Sequence, residues 1–202
     1  MNNEQRETNN GKRKTNVWAV RVIAGTLVTM VGIGAGCGQT GKADPEPQER
    51  GAAMLTVKSR AFENGAAIPK KYTGEGGNVS PALSWTGVPE GTKELALICD
   101  DPDAPTPQPW VHWVLYGLGP EKTGLAEGNA GGGVEGKNGS GGTGYAGPMP
   151  PKGHGVHHYH FKVYALGTKA GLAAGATKEQ LLAAMKGHIL GQGEVMGTYE
   201  RK

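Results

Sequence analysis

Residues 157–166, reading HHYHFKVYAL, constrain the fold of this chain more than any other segment. They follow a loop rich in Gly and Pro, in which Pro148, Pro150 and Pro151 forbid a helix. Side chains alternate along a strand, so His157, Tyr159 and Phe161 share one face while His158, His160 and Lys162 share the other. The first face sets two groups that can donate hydrogen bonds beside an apolar ring, which suits a small lined pocket. The second face reads as solvated, although four of the six histidines (His154, His157, His158 and His160) fall within seven residues.

Further strand patterns cover residues 55–58, 83–85, 94–100 and 111–118, with turn signals between them such as Glu63-Asn64-Gly65 and Val88-Pro89-Glu90-Gly91. One helix is expected. Thr177-Lys178-Glu179-Gln180 has the form of a capping box, Leu181, Leu182, Met185 and Ile189 recur at helical spacing, and Gly191 can end it. A short strand at 195–200 completes the chain. Several strands with one late helix imply a mainly β domain with peripheral helix, not a parallel βαβ array.

The amino-terminal part reads as a leader. Lys12, Arg13, Lys14 and Arg21 precede the apolar run 22–33, and Gly34-Ala35-Gly36 leads to Cys37. A basic start, a short apolar run and small residues before the cut describe an export signal. The run falls short of the roughly 20 residues of a membrane-spanning helix. Cys37 after small residues resembles a lipobox cysteine, with Gly34 where an aliphatic residue is usual. The expected organisation is a lipoprotein-type signal over 1–36, a flexible tether over 37–53 with Pro45 and Pro47, and one domain over 54–202. The protein is then exported and held to a bacterial membrane through Cys37, the alternative being plain secretion.

The leader also carries the charge imbalance. Of 21 basic and 18 acidic residues, five basic and two acidic lie in 1–36, leaving sixteen of each beyond it. A neutral domain lacks the basic face that nucleic acid requires. With Cys37 lipidated, Cys99 is the one remaining thiol, and its apolar setting makes it a small buried hydrophobe.

Three other chemistries are weaker. Gly139-Ser140-Gly141-Gly142-Thr143-Gly144 has the G-x-G-x-x-G spacing, but prolines follow where a dinucleotide site needs a helix, so it reads as a mobile loop. His158 and His160 could supply two zinc ligands, short of the three or four a site needs, and no metal or other cofactor is expected. A hydrolase would need a nucleophile with its base, and neither G-x-S-x-G nor a Cys-His signature is present. What remains is an acidic cluster, Asp100-Asp101-Pro102-Asp103, at a strand end, with Trp110-Val111-His112-Trp113 after it. Alternation puts Trp110, His112 and Val114 on one face, so His112 sits beside apolar groups as His157 does. A carboxylate can orient an imidazole and raise its pKa, and loop amides that no ladder claims add donors.

At these residues the chain resembles the phosphatidylethanolamine-binding protein family, in its bacterial Raf kinase inhibitor-like branch. DPDAP at 101–105, WVHWVLYGL at 110–118 and GYAGPMPPKGHGVHHYHFKVYAL at 144–166 carry the resemblance, which extends over residues 55–199. It implies a large central β-sheet, a smaller flanking antiparallel sheet and peripheral helices. It also implies a small anion pocket using Asp101, His112, Gly147 and His157, lined by Asp103, Trp110, Pro148 and Tyr159.

The expected function is non-enzymatic binding of a phosphate-bearing small molecule or lipid headgroup. An inhibitor of a protein partner such as a protease or kinase, acting through the glycine-rich loop 131–144, is the alternative. A hydrolase using the same pocket comes third.

Overall fold

The computed structural model describes residues 51–202, so the leader, Cys37 and nearly all of the tether lie outside the described residues. Nine strands and one α-helix follow in order: β1 (Ala53–Met54), β2 (Thr56–Ser59), β3 (Leu83–Thr86), β4 (Glu94–Asp101), β5 (Trp110–Leu118), β6 (Gly124–Leu125), β7 (Val134–Glu135), β8 (Val156–Leu166), α1 (Lys178–Met185) and β9 (Ile189–Glu200). The large sheet has the order β1-β9-β8-β4-β5-β7, and the small one β2-β3-β6. All pairings are antiparallel except β1 with β9.

β4 is buried at all eight positions because it lies inside the large sheet with both faces covered. On one face Leu95, Leu97 and Cys99 join Trp113, Phe161 and Val163 in a core that includes Val57 and Trp85 of the small sheet. On the other, Ala96 and Ile98 pack with Val114, Tyr116, Leu181 and Met185, which brings in α1. Burial pushes the Cys99 thiol pKa well up, so this cysteine fills space and stays protonated. The expected mainly β architecture, large sheet with smaller antiparallel sheet and peripheral helix, is the one found.

The five strands expected before the helix each fall within one residue of their observed limits. The helix is shorter than expected. Its capping box is present, with Thr177 and Gln180 bonded in both directions, but it ends at Met185. Gly187, at φ +80°, is the glycine that stops it. Ile189 and Gly191 already belong to β9, which is twelve residues long instead of a short end-piece. β9 carries glycines where the chain between β1 and β2 passes close to it: a Cβ on Gly193 would stand 2.1 Å from the carbonyl oxygen of Leu55.

The glycine-rich loop also differs from expectation. Asn138 N donates to Gly142 O at 2.8 Å, and Lys137 bridges Thr143, so 137–143 is a closed, hydrogen-bonded turn. Gly139 N donates to Val111 O at 2.7 Å, pinning that turn to β5. Among the described residues, no helix is long and apolar enough to cross a membrane.

Candidate ligand-binding site

The strand ends β4, β5 and β8 meet the loop before β8 around a cavity of about 390 Å³. At the end of β4, alternation sends Asp100 and Asp101 to opposite sides. Asp100 turns to the helical side, where Lys178 and, at 3.3 Å, Lys162 contact it. Asp101 turns to the cavity side and is 3% exposed. Its Oδ1 accepts from Asp103 N at 2.8 Å and its Oδ2 pairs with His157 Nδ1 at 2.7 Å. The other nitrogen of the His157 ring, Nε2, lies 2.8 Å from His154 Nδ1. Asp101, His157 and His154 therefore form one chain of hydrogen bonds, running from a buried carboxylate to an exposed loop.

His112 reaches the cavity through a break in the strand pattern. Cys99 pairs with Trp113, yet Asp100 pairs with Val111, so β5 holds one extra residue at His112. Such a bulge lets two successive side chains share a face. Trp113 joins the core on the small-sheet side, and His112 meets Tyr159 of that same core at 5.0 Å between ring centroids, edge to face. Val114 packs on the helical side. The expected common face of Trp110, His112 and Val114 therefore holds for the first two residues and fails for Val114, because strict alternation cannot count an inserted residue.

Nδ1 of His112 lies 2.5 Å from the carbonyl oxygen of Ala146. Burial is the main influence on this imidazole and holds its pKa below the ordinary value, against the Ala146 bond and the Asp101 charge. Tyr159 is fully buried, and its hydroxyl lies beside the Asp101 carboxylate without making a hydrogen bond of ordinary geometry. Burial and the neighbouring Asp101 carboxylate push the Tyr159 pKa strongly up, so the phenol keeps its proton. A buried hydroxyl without a well-formed bond costs stability, and Tyr159 is one of the residues that line the cavity.

The loop is held from beneath. Gly147 N donates to Asn78 Oδ1 at 2.7 Å, Gly74 N donates to Pro148 O at 2.9 Å, and the Tyr145 hydroxyl donates to Tyr72 O at 2.8 Å. Ala146 N donates to His112 O at 2.8 Å. The amides of Ala146 and Gly147 are thus already engaged, so these two are not free donors as expected of the loop. The loop folds onto β5 and the 70–78 segment, whose acceptors take them.

Of the eight residues expected around a ligand, Asp101, Trp110, His112, Gly147, His157 and Tyr159 line the cavity, and Asp103 and Pro148 do not. Asp103 faces outward and accepts from His158 N and Nδ1 at 2.8 and 2.7 Å. Pro148 is buried behind the lining, its carbonyl taken by Gly74. Cys37 lies outside the described residues. The face expected to be solvated is half-buried and paired, His158 with Asp103 and His160 with Glu194 at 3.2 Å. Sequence reasoning did not assign His154, Asn78, the Ala146 carbonyl or the lining residues Ser140 and Met149 to the site. Asn78 alone left a trace, as a residue type that tolerates the left-handed conformation it adopts, φ +51°. Among the described residues, the lining contains no lysine or arginine.

Comparison with known proteins places this geometry among relatives. The family model described as phosphatidylethanolamine-binding protein matches residues 58–200. A UPF0098 protein of Methanothermobacter thermautotrophicus is 50% identical over 153 residues, 73% of this chain and 99% of its own length. The crystal structure of a phosphatidylethanolamine-binding protein homologue from Chlamydia trachomatis has TM-score 0.70 and 43% identity, covering 75% of this chain and all of that one. E. coli YBCL, described as a new member of the mammalian family, has TM-score 0.69 and 34% identity, covering 73% of this chain and 99% of its own.

Proposed function

The chain belongs to the phosphatidylethanolamine-binding protein family, and on that premise we propose that its domain binds phosphate-like anionic groups without catalysis. The observation that carries this reading is that His112, His157 and Tyr159, with Asp101 behind them, line one cavity. Positive charge would come from imidazole, since His112 and His157 are the lining groups able to take it up. Asp101 supports the reading indirectly, because its bond to Nδ1 fixes the orientation of the His157 ring. Phospholipid headgroups and phosphorylated small molecules or side chains share this chemistry.

Calorimetric titration with inorganic phosphate at about pH 5.5 and about pH 7.5, either side of the ordinary imidazole pKa near 6.5, tests the reading. Affinity should be higher at the lower pH, and His157→Ala should weaken it. Affinity independent of pH, or unaltered in that variant, overturns it.

The reading extends to location. The leader would export the chain, and lipid on Cys37 would tether the domain to a membrane. Fractionation of cells producing Cys37→Ser should move the protein from the membrane to the soluble fraction; retention in the membrane rejects the anchor.

A further inference from the structure

At the end of the large sheet opposite the cavity, three turns lie side by side. β4 and β9 begin there, and β8, between them, ends there. Lys93 N donates to Leu166 O at 2.7 Å and Gly167 N donates to His188 O at 2.8 Å, so residues 93, 167–169 and 186–188 are brought together. Each turn carries one exposed lysine: Lys93, Lys169 and Lys186.

Among the described residues, no carboxylate pairs with any of the three. Glu94, next to Lys93, is buried and turned inward, where it accepts from Gly117 N at 2.9 Å and Ala170 N at 3.3 Å. Glu90 and Glu121 are the exposed acidic residues of the neighbouring turns, and Lys122 follows Glu121. This end is therefore basic, in a chain that is balanced beyond residue 36. It is also apolar at its margin. Met54 of β1, beside the start of β9, is 78% exposed, the most of any large hydrophobic residue described, and Leu190 stands half-buried against Gly91 and Gly167.

Building on the Cys37 anchor proposed above, we propose that this end of the domain docks on an anionic lipid surface, the three lysines meeting the headgroups and Met54 the acyl boundary. Two features select lipid as the occupant. Fifteen residues, 38–52, separate Cys37 from β1. A chain of that length reaches at most about 50 Å, so an anchored domain stays beside the bilayer, attached at the end that carries the lysines. Lysines on three separate turns, with no arginine among them, also offer mobile point charges and not the planar fork that reads a shaped acidic site.

Each lysine near an anionic surface is worth about fivefold in affinity, so the three together give about a hundredfold. That is weak for a domain in free solution. On a tethered domain the effective concentration makes such a contact count, and it fixes which end meets the bilayer.

Cys37 supplies the test, because Cys99 is buried and keeps its proton. The relative from Methanothermobacter is matched over 99% of its own length by this domain, so residues 37–202 hold a complete folding unit. This chain is coupled through Cys37 to maleimide lipid in vesicles of phosphatidylcholine, alone or with about one-third phosphatidylglycerol, and acetylation of each lysine is followed by mass spectrometry. On the anionic vesicles Lys93, Lys169 and Lys186 should react at least about fivefold more slowly than on neutral ones, and about 1 M salt should abolish the difference. Lys70, Lys152 and Lys202, at the cavity end, should react alike on both. Met54→Glu should reduce the protection and leave phosphate titration unchanged. Equal rates for the three on both vesicles overturn the docking and leave the anion site and the anchor standing. Protection of Lys70, Lys152 and Lys202 instead puts the cavity end on the bilayer and overturns it too. Protection that appears without lipid as protein concentration rises assigns the face to a second copy of the chain, and the lipid is rejected.

Discussion

The side-chain oxygen of Asn78 lies 2.7 Å from the amide nitrogen of Gly147, sixty-nine positions away, and this bond ties the loop beside His112 to the 70–78 segment. Ala146 carries the carbonyl that holds His112, so Asn78 acts on the imidazole through one peptide. Asn78→Ala should destabilise the domain by about 2 kcal/mol, since it leaves a buried amide unsatisfied and puts alanine at φ +51°. Asn78→Gly loses the same bond without the backbone strain and should be less harmful. Urea unfolding midpoints measure the order; equal losses would show that the conformation of Asn78 contributes nothing.

Gly147 is required for space. A Cβ there would stand 2.5 Å from the carbonyl oxygen of Tyr72 and 2.9 Å from backbone atoms of Thr73, none of which can rotate aside. Gly147→Ala should cost about 1–3 kcal/mol, as overpacking does, and should weaken phosphate binding by shifting the loop. Gly132→Ala is the control, with nothing within 4 Å but a φ of +83°. If both variants lose equal stability and both bind phosphate normally, the close approach is not what Gly147 provides.

The His112 pKa lies below the unfolded value, so the unfolded chain binds its proton more readily than the folded one. This stabilisation is present above about pH 6.5 and declines as pH falls through the folded pKa. His160 works in the opposite direction. The hydrogen bond to Glu194 raises its pKa, so its contribution is present below the unfolded value and is lost as pH rises through the folded one. Melting temperatures over this range should show a shallower acid-side fall in His112→Gln and a shallower neutral-side fall in His160→Gln. Unchanged slopes in both would remove these two groups from the pH dependence.

The Tyr159 hydroxyl should cost stability. It is buried without a well-formed hydrogen bond, a condition that costs about 1–3 kcal/mol. Tyr159→Phe should therefore stabilise the domain by about 1 kcal/mol. Denaturant unfolding reads the effect. A less stable variant would contradict the assignment.

The parts legible in the sequence were those written in local periodicity. β8 announced itself through alternation, and the same alternation put His157 and Tyr159 on one side. Asp101 and Gly147 came from resemblance to a family, since nothing local distinguishes Asp101 from Asp100. The misplacement of Val114 arose because a bulge adds a residue without changing composition. The helix end was assigned to Gly191 because Ile189 fits a helical stripe as well as a strand. Only the pairing of β8 with β9 decides it, through contacts more than twenty residues apart. Asn78, His154 and the Ala146 carbonyl act through loops, where no period links a residue to its partner.

The parallel pairing of β1 with β9 fixes which way the domain points when held by its amino-terminal end. Met54 pairs with Gln192, whereas the cavity histidine His157 pairs with Tyr199, seven residues further along the same strand. At about 3.3 Å per residue the two lie ~23 Å apart, at opposite ends of the sheet. A support attached before residue 53 therefore grips the end of the domain remote from the opening, and an amino-terminal fusion or surface coupling leaves the mouth of the cavity facing outward.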